Sequence, residues 1–117
     1  MTKFTYKDLT DRMFENVDER MRELCEHNLR QNGRNEFTSQ EFVKRLAQKN
    51  QADYVELLWR CRQHFPDYIF NKAHECIGLK LSQCARKAGY EKIEEGRTET
   101  NIFDDPTDKI IYRPHTV

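Results

Sequence analysis

The sequence lacks any apolar run close to the roughly 20 residues that a helix needs to cross a bilayer. Residues 1–6 contain no apolar segment of the kind that a secretory leader requires. We therefore expect no membrane partner and a cytoplasmic protein.

The motifs that mark common enzyme classes are also missing. The chain has no glycine-rich phosphate loop, no HExxH zinc-protease motif and no GxSxG nucleophile elbow. Its acidic residues are scattered over helix surfaces and a hairpin tip instead of forming a compact pair. We expect a protein that is not an enzyme and that uses no cofactor.

The four cysteines form no CxxC pair and no disulfide-framework spacing. Each falls in a segment with a helical pattern, so we expect buried free thiols at Cys25, Cys61, Cys76 and Cys84.

A zinc site is the alternative use of two of these cysteines. Cys61 and His64 are three residues apart, and His74 and Cys76 follow shortly after, which gives four ligand side chains of the right type. On a regular helix, however, His74 and Cys76 point about 160–200° apart. We therefore predict no metal.

Charge is balanced overall but not evenly distributed. The chain has 20 basic and 20 acidic residues. Residues 34–89 carry ten basic and six acidic side chains, whereas residues 90–117 carry four basic and seven acidic ones. A basic middle followed by an acidic tail bears directly on the kind of partner.

Hydrophobic periodicity predicts about four helices. The first is a long helix within residues 1–33, with a possible break near Asn16 and a glycine cap at Gly33. After a short extended link at Glu36 and Phe37, Thr38 and Glu41 form a capping box that opens the second helix.

Two further helices and a hairpin complete the pattern. Residues 52–64 form a helix with Val55, Leu58, Trp59 and Arg62 at helical spacing, and an aromatic connector, residues 65–70, is expected to pack into the core. Asn71 is the predicted N-cap of a helix over residues 72–88. After Gly89 the pattern alternates, and an Asp-Pro turn within residues 104–108 separates two strands that form a β-hairpin.

This element order resembles the winged helix-turn-helix superfamily, with one helix added. Three stretches carry the resemblance: FTSQEF (residues 37–42), IGLKL (77–81) and AGYEK (88–92). The last two are similar to winged-helix modules of phage and plasmid replication proteins. The resemblance implies a single domain, 1–117, that is mostly α with a C-terminal β-hairpin. Residues 1–33 form the N-terminal helix, 34–89 a helix-turn-helix-like core and 90–117 the wing.

The resemblance also implies a function, which is double-stranded DNA binding by a small regulator or replication accessory factor related to a phage or mobile element. The last helix then lies in a major groove and the hairpin touches the backbone. Basic and amide side chains suit those contacts. The candidates are Lys72, Lys80, Gln83, Arg86, Lys87, Lys44, Lys92 and Arg97.

A protein-interaction module is the alternative function. Acidic side chains dominate the hairpin and repel phosphate, and Leu79 interrupts the polar face of the last helix. Such a module, for example a small inhibitor, docks its acidic hairpin on a nucleic-acid-processing protein of a host. The candidate contacts are Leu79, Glu99, Asp104, Asp105 and Asp108.

A homodimer is compatible with either function. The apolar stripe of the N-terminal helix offers an intermolecular seam, although it is equally able to pack within the domain. The stripe consists of Leu9, Met13, Val17, Met21, Leu24 and Leu29.

Overall fold

The computed structural model describes residues 3–101 and 106–115, apart from the side chain of Glu95. Within these residues the chain is mostly helical and ends in an antiparallel sheet. The helices are α1 (Lys7–Met13), α2 (Val17–Asn32), α3 (Ser39–Lys49), α4 (Gln51–His64) and α5 (Ile69–Lys87). The strands are β1 (Phe37–Thr38), β2 (Tyr90–Thr100) and β3 (Pro106–Pro114).

The N-terminal region forms two helices and not one long helix. The chain breaks after Met13, and Asn16 adopts a left-handed conformation with φ of 59° before α2 begins. Asparagine tolerates this conformation better than most residues, which explains why the break falls there. Gly33, with φ of 75°, caps α2 as predicted.

The capping box joins the helices to the sheet. The Thr38 hydroxyl accepts from the Glu41 N–H at 3.2 Å, and the Glu41 carboxylate accepts from the Thr38 N–H at 2.9 Å. The same two strand residues, Phe37 and Thr38, pair with Tyr112 and Ile111 of β3. The sheet order is therefore β1-β3-β2, and the start of α3 is fixed against the hairpin.

Replacing Thr38 by alanine should lower the free energy of unfolding by about 1 kcal/mol, because the first turn of α3 loses a side-chain acceptor. Urea denaturation of wild type, Thr38→Ala and the exposed control Thr5→Ala measures the difference. Equal stability of the Thr38 and Thr5 variants would show that the capping box contributes nothing.

Helix α4 buries a different face from the apolar stripe that the sequence showed. The buried side chains are Tyr54, Leu57 and Cys61. Val55 and Trp59 are 62% and 51% exposed, and the Arg62 guanidinium lies over the Trp59 ring. Val55 and Trp59 of the predicted stripe therefore face solvent, whereas Leu58 is partly buried against the core.

The start of α5 also departs from prediction. The helix begins at Ile69, with Tyr68 as N-cap residue, so Asn71 lies inside its first turn and is not the cap. Tyr68 and Phe70 remain largely exposed, and only Ile69 and Phe65 of the aromatic connector are partly buried. The connector therefore packs into the core only in part. Gly89, with φ of 84°, turns the chain from α5 into β2.

The core forms around α5, which contacts every other described helix and β2. Ala73, Ile77, Leu81 and Ala85 of α5 are fully buried, and Cys76 is nearly so. The apolar stripe of the N-terminal region packs here as well, with Leu9, Met13, Met21 and Leu24 buried and Val17 packed against them. The proposed dimer seam is thus used inside the domain, and Leu29 alone of that set is exposed.

The hairpin is longer than predicted on its second strand. Residues 106–108, which the sequence assigned to the turn, belong to β3 and pair with residues 98–100 of β2. Gly96, with φ of 69°, lies in a register shift between Glu94 and Thr98, which bends β2. The predicted turn and strand residues Ile102, Asp104 and Asp105 lie outside the described residues.

Candidate functional site

Helix α5 exposes one stripe of side chains on the side away from the core. Glu75, Leu79, Gln83 and Arg86 are all exposed, at spacings of four, four and three residues. These spacings place them on one face, opposite the buried alanine, isoleucine and leucine side chains. We call these four residues the outer face of α5. Cys76, which follows Glu75 in the chain, is buried.

Two of the predicted DNA contacts on α5 are engaged within the molecule. The Lys80 ammonium pairs with Asp11 of α1 and lies 5.8 Å from the Phe14 ring centroid. This hydrogen bond lowers the pKa of the Asp11 carboxyl. The Lys72 ammonium lies 3.7 Å from the Glu75 carboxylate and 4.9 Å from the centroid of the Phe65 ring. Both lysines therefore serve contacts within the domain.

The remaining predicted cations are spread over three surfaces. Arg86 and Lys87 are exposed at the end of α5, and the described residues offer them no ion pair. On β2, Lys92 lies 3.4 Å from Glu94, and Arg97 is exposed. Lys44 is exposed on α3 but lines a different groove, between α2 and α3. The structure thus brings together Gln83, Arg86 and Lys87 and leaves the others apart.

A groove of about 550 Å³ runs beside the outer face of α5, between this helix and the hairpin. The floor of the groove is open at Gly78, since a Cβ atom placed there would meet no heavy atom within 4 Å. Sequence reasoning missed most of this lining, since no local signal shows that the hairpin lies beside α5. The lining includes Gln40, Val43, Asn71, His74, Glu75, Leu79, Ser82, Lys92, Thr107 and Asp108.

Only part of the predicted protein-binding set is on the surface. Leu79 is 55% exposed and Asp108 is also exposed. Glu99 is partly buried against the start of α3, where burial raises its pKa and a hydrogen bond from the Thr38 hydroxyl opposes that shift. The predicted protein contact at Glu99 is therefore a side chain that the fold itself partly covers. Asp104 and Asp105 lie outside the described residues.

The four cysteines are free thiols, as predicted, but they are not equally buried. Cys25, Cys61 and Cys76 are buried, and burial raises the pKa of Cys25 and of Cys61 to about 11. Cys84 is only partly buried. A thiol must ionise and be reached by the reagent to react, so three of the four are protected.

We expect Cys84 to react with a thiol reagent at least about tenfold faster than the other cysteines of the native protein, because it needs no opening of the core. Mass-spectrometric mapping of the labelled sites over time measures this order. Cys84→Ser should remove the fast phase, and simultaneous labelling of all four thiols would contradict the burial pattern.

The residues considered for zinc have other surroundings. Cys61 is fully buried, and the Nε2 atom of His74 lies 2.7 Å from the Tyr54 hydroxyl. Burial lowers the pKa of His74 and favours its neutral form. In the part of the chain that the structure describes, no group of three or more histidine, cysteine or acidic side chains is placed to hold a metal ion.

Comparison of the chain with protein-family models, curated proteins and solved structures found no match. None of the helices among the described residues is long and apolar enough to span a membrane. The chemistry available to the chain is therefore inferred from the outer face of α5, the groove beside it and the charges around both.

Proposed function

We propose that the chain is a DNA-binding winged helix-turn-helix domain. In this proposal α5 is the recognition helix, which enters the major groove, and the hairpin of β2 and β3 is the wing. The observation that carries the proposal is the outer face of α5, which is exposed over about three turns and whose Glu75 and Leu79 line the groove to the hairpin. The sheet order β1-β3-β2 further supports it, since the strand between α2 and α3 pairs with the hairpin that follows α5.

The side chains at the end of α5 have suitable chemistry for DNA. The Gln83 amide can donate to and accept from an adenine edge. The Arg86 guanidinium, which only donates, suits a guanine edge or a phosphate, and Lys87 suits a phosphate. Lys92 lies on the hairpin at the rim of the groove and suits a second phosphate. Of the acidic side chains of the hairpin, Glu99 is partly buried against α3, whereas Glu94 and Asp108 are exposed.

The salt dependence of duplex binding tests the proposal. If Arg86, Lys87 and Lys92 each neutralise one phosphate, the logarithm of the affinity falls with the logarithm of salt concentration with a slope of about −2.7 or steeper. Fluorescence anisotropy with a labelled duplex should then show at least about 40-fold weaker binding at about 200 mM than at about 50 mM salt. No binding at the lower salt concentration would contradict the proposal.

Protein binding is a second candidate function, favoured by one observation. Leu79 lies half-exposed in the middle of the outer face of α5, with the exposed Asp108 on the opposite rim of the groove. An apolar centre with a charged rim is typical of protein interfaces. A complex recovered from host lysate after nuclease treatment, and lost on Leu79→Ala with Asp108→Lys, supports this candidate. Recovery that depends on intact nucleic acid argues against it.

A further inference from the structure

A second groove, of about 320 Å³, lies between α2 and α3 on the far side of α3 from the α5 groove. Helix α3 separates the two. Gln40 and Val43 face the α5 groove, whereas Lys44, Arg45 and Gln48 face the second one together with His27 of α2. The two grooves are therefore neighbours that share α3 as a wall.

The second groove has more positive than negative side chains in its lining. Its lining includes one carboxylate, that of Glu41, and both oxygens of this group are occupied. One oxygen accepts from the Thr38 N–H at 2.9 Å and the other from the side-chain amide of Asn28 at 3.1 Å. Lys44 and Arg45 have no ion pair with any residue that the structure describes. The lining thus contains two cationic side chains and one carboxylate, that of Glu41, which is hydrogen-bonded to Thr38 at the start of α3.

The donor set defines the kind of ligand. Lys44 presents a compact ammonium, and the planar Arg45 guanidinium can donate two parallel hydrogen bonds to an oxyanion. The Gln48 amide on α3 and the His27 ring on α2 add further hydrogen-bond donors to the groove. Adjacent cationic donors with no carboxylate partner suit the oxygens of a phosphodiester backbone.

We propose that the α2–α3 groove is a second nucleic-acid contact, in which Lys44 and Arg45 bind backbone phosphates of a duplex whose bases face α5. This site rests on the proposed DNA-binding function and extends the contact surface across α3. It contributes affinity and orientation, whereas sequence recognition stays with the outer face of α5.

The salt dependence of duplex binding distinguishes the contribution of the α2–α3 groove from that of α5 and the hairpin. Two additional phosphate contacts change the expected slope from about −2.7 to about −4.5. Lys44→Ala with Arg45→Ala should return it to about −2.7 and weaken duplex binding at low salt, without changing which duplex sequence is preferred. Anisotropy titrations at several salt concentrations measure the slope directly.

A matched control removes two positive charges elsewhere. Lys3 and Arg62 are exposed and line neither groove, so Lys3→Ala with Arg62→Ala should keep the wild-type slope. Thermal unfolding of both double variants establishes that they are folded. A change of slope confined to the Lys44 and Arg45 variant supports the site.

Three results would overturn the inference in distinguishable ways. If wild type binds the duplex and the Lys44 and Arg45 variant keeps its slope, the site is wrong and the proposed function stands. If wild type binds no duplex, the function and the site are both wrong. If the variant loses binding only to polyglutamate and not to the duplex, the groove binds acidic protein and the phosphate assignment is wrong.

Discussion

Replacing Phe37 by alanine is expected to cost about 3–5 kcal/mol of folding free energy, a large part of the stability of a small domain. Phe37 is fully buried, and its ring lies 5.5 Å from the Tyr112 ring and 5.8 Å from the Tyr90 ring, measured between centroids. It also lies 6.1 Å from Phe42 of α3. One side chain therefore connects both strands of the hairpin to the helices.

Denaturant unfolding followed by circular dichroism measures this loss. Leu29→Ala is the matched control, because Leu29 is an apolar residue that is 48% exposed, and it should cost less than about 1 kcal/mol. A Phe37→Ala variant as stable as the Leu29→Ala variant would mean that the sheet is not held to the helices through this ring cluster.

The second large effect is expected at the end of α5. Gln83→Ala with Arg86→Glu should weaken duplex binding about 30-fold or more, because each base-edge contact contributes about 1–3 kcal/mol and a carboxylate repels phosphate. Both side chains are exposed, so stability should change little. Anisotropy titration at fixed salt measures the loss.

The control for this variant makes the same chemical changes away from α5. Gln63→Ala with Arg62→Glu alters an exposed amide and an exposed cation that line neither of the two grooves at α3. It should bind the duplex within about threefold of wild type, since exposed charges far from the contact act only weakly through salt solution. Equal losses in the two variants would exclude α5 as the reading helix.

Local sequence signals predicted the fold where the interactions are local. The capping box of Thr38 and Glu41 and the left-handed glycines Gly33 and Gly89 need only neighbouring residues, and all three are present. The break at Asn16 belongs to the same class. These features set the helix ends and the entry to the hairpin, which is why the mostly helical fold with a C-terminal hairpin could be predicted.

Which face of a helix becomes buried is harder to predict from the sequence when two of its faces are apolar. Helix α4 offers one face with Tyr54, Leu57 and Cys61 and another with Val55 and Trp59. Periodicity is similar for both, and packing against α1 and α5 selects the first. The Trp59 face could therefore not be assigned from the sequence.

The candidate site was predictable only in part, because ion pairs between distant residues are invisible in the sequence. Within the sequence of α5 alone, Lys80 has no acidic partner that would mark it as paired. In the structure it pairs with Asp11, which lies 69 residues away in the chain. Glu99 similarly meets Thr38 only once the hairpin lies against α3. Gln83, Arg86 and Lys87 stayed at the surface because the residues opposite them form the buried stripe.

Mapping of duplex contacts on the isotope-labelled protein tests the central claim most directly. Amide chemical-shift changes on addition of duplex DNA should concentrate along residues 75–87 of α5 and on β2 near Lys92. Changes concentrated instead around Val55 and Trp59 of α4, or no changes at saturating duplex, would contradict the claim that α5 is the DNA-binding helix.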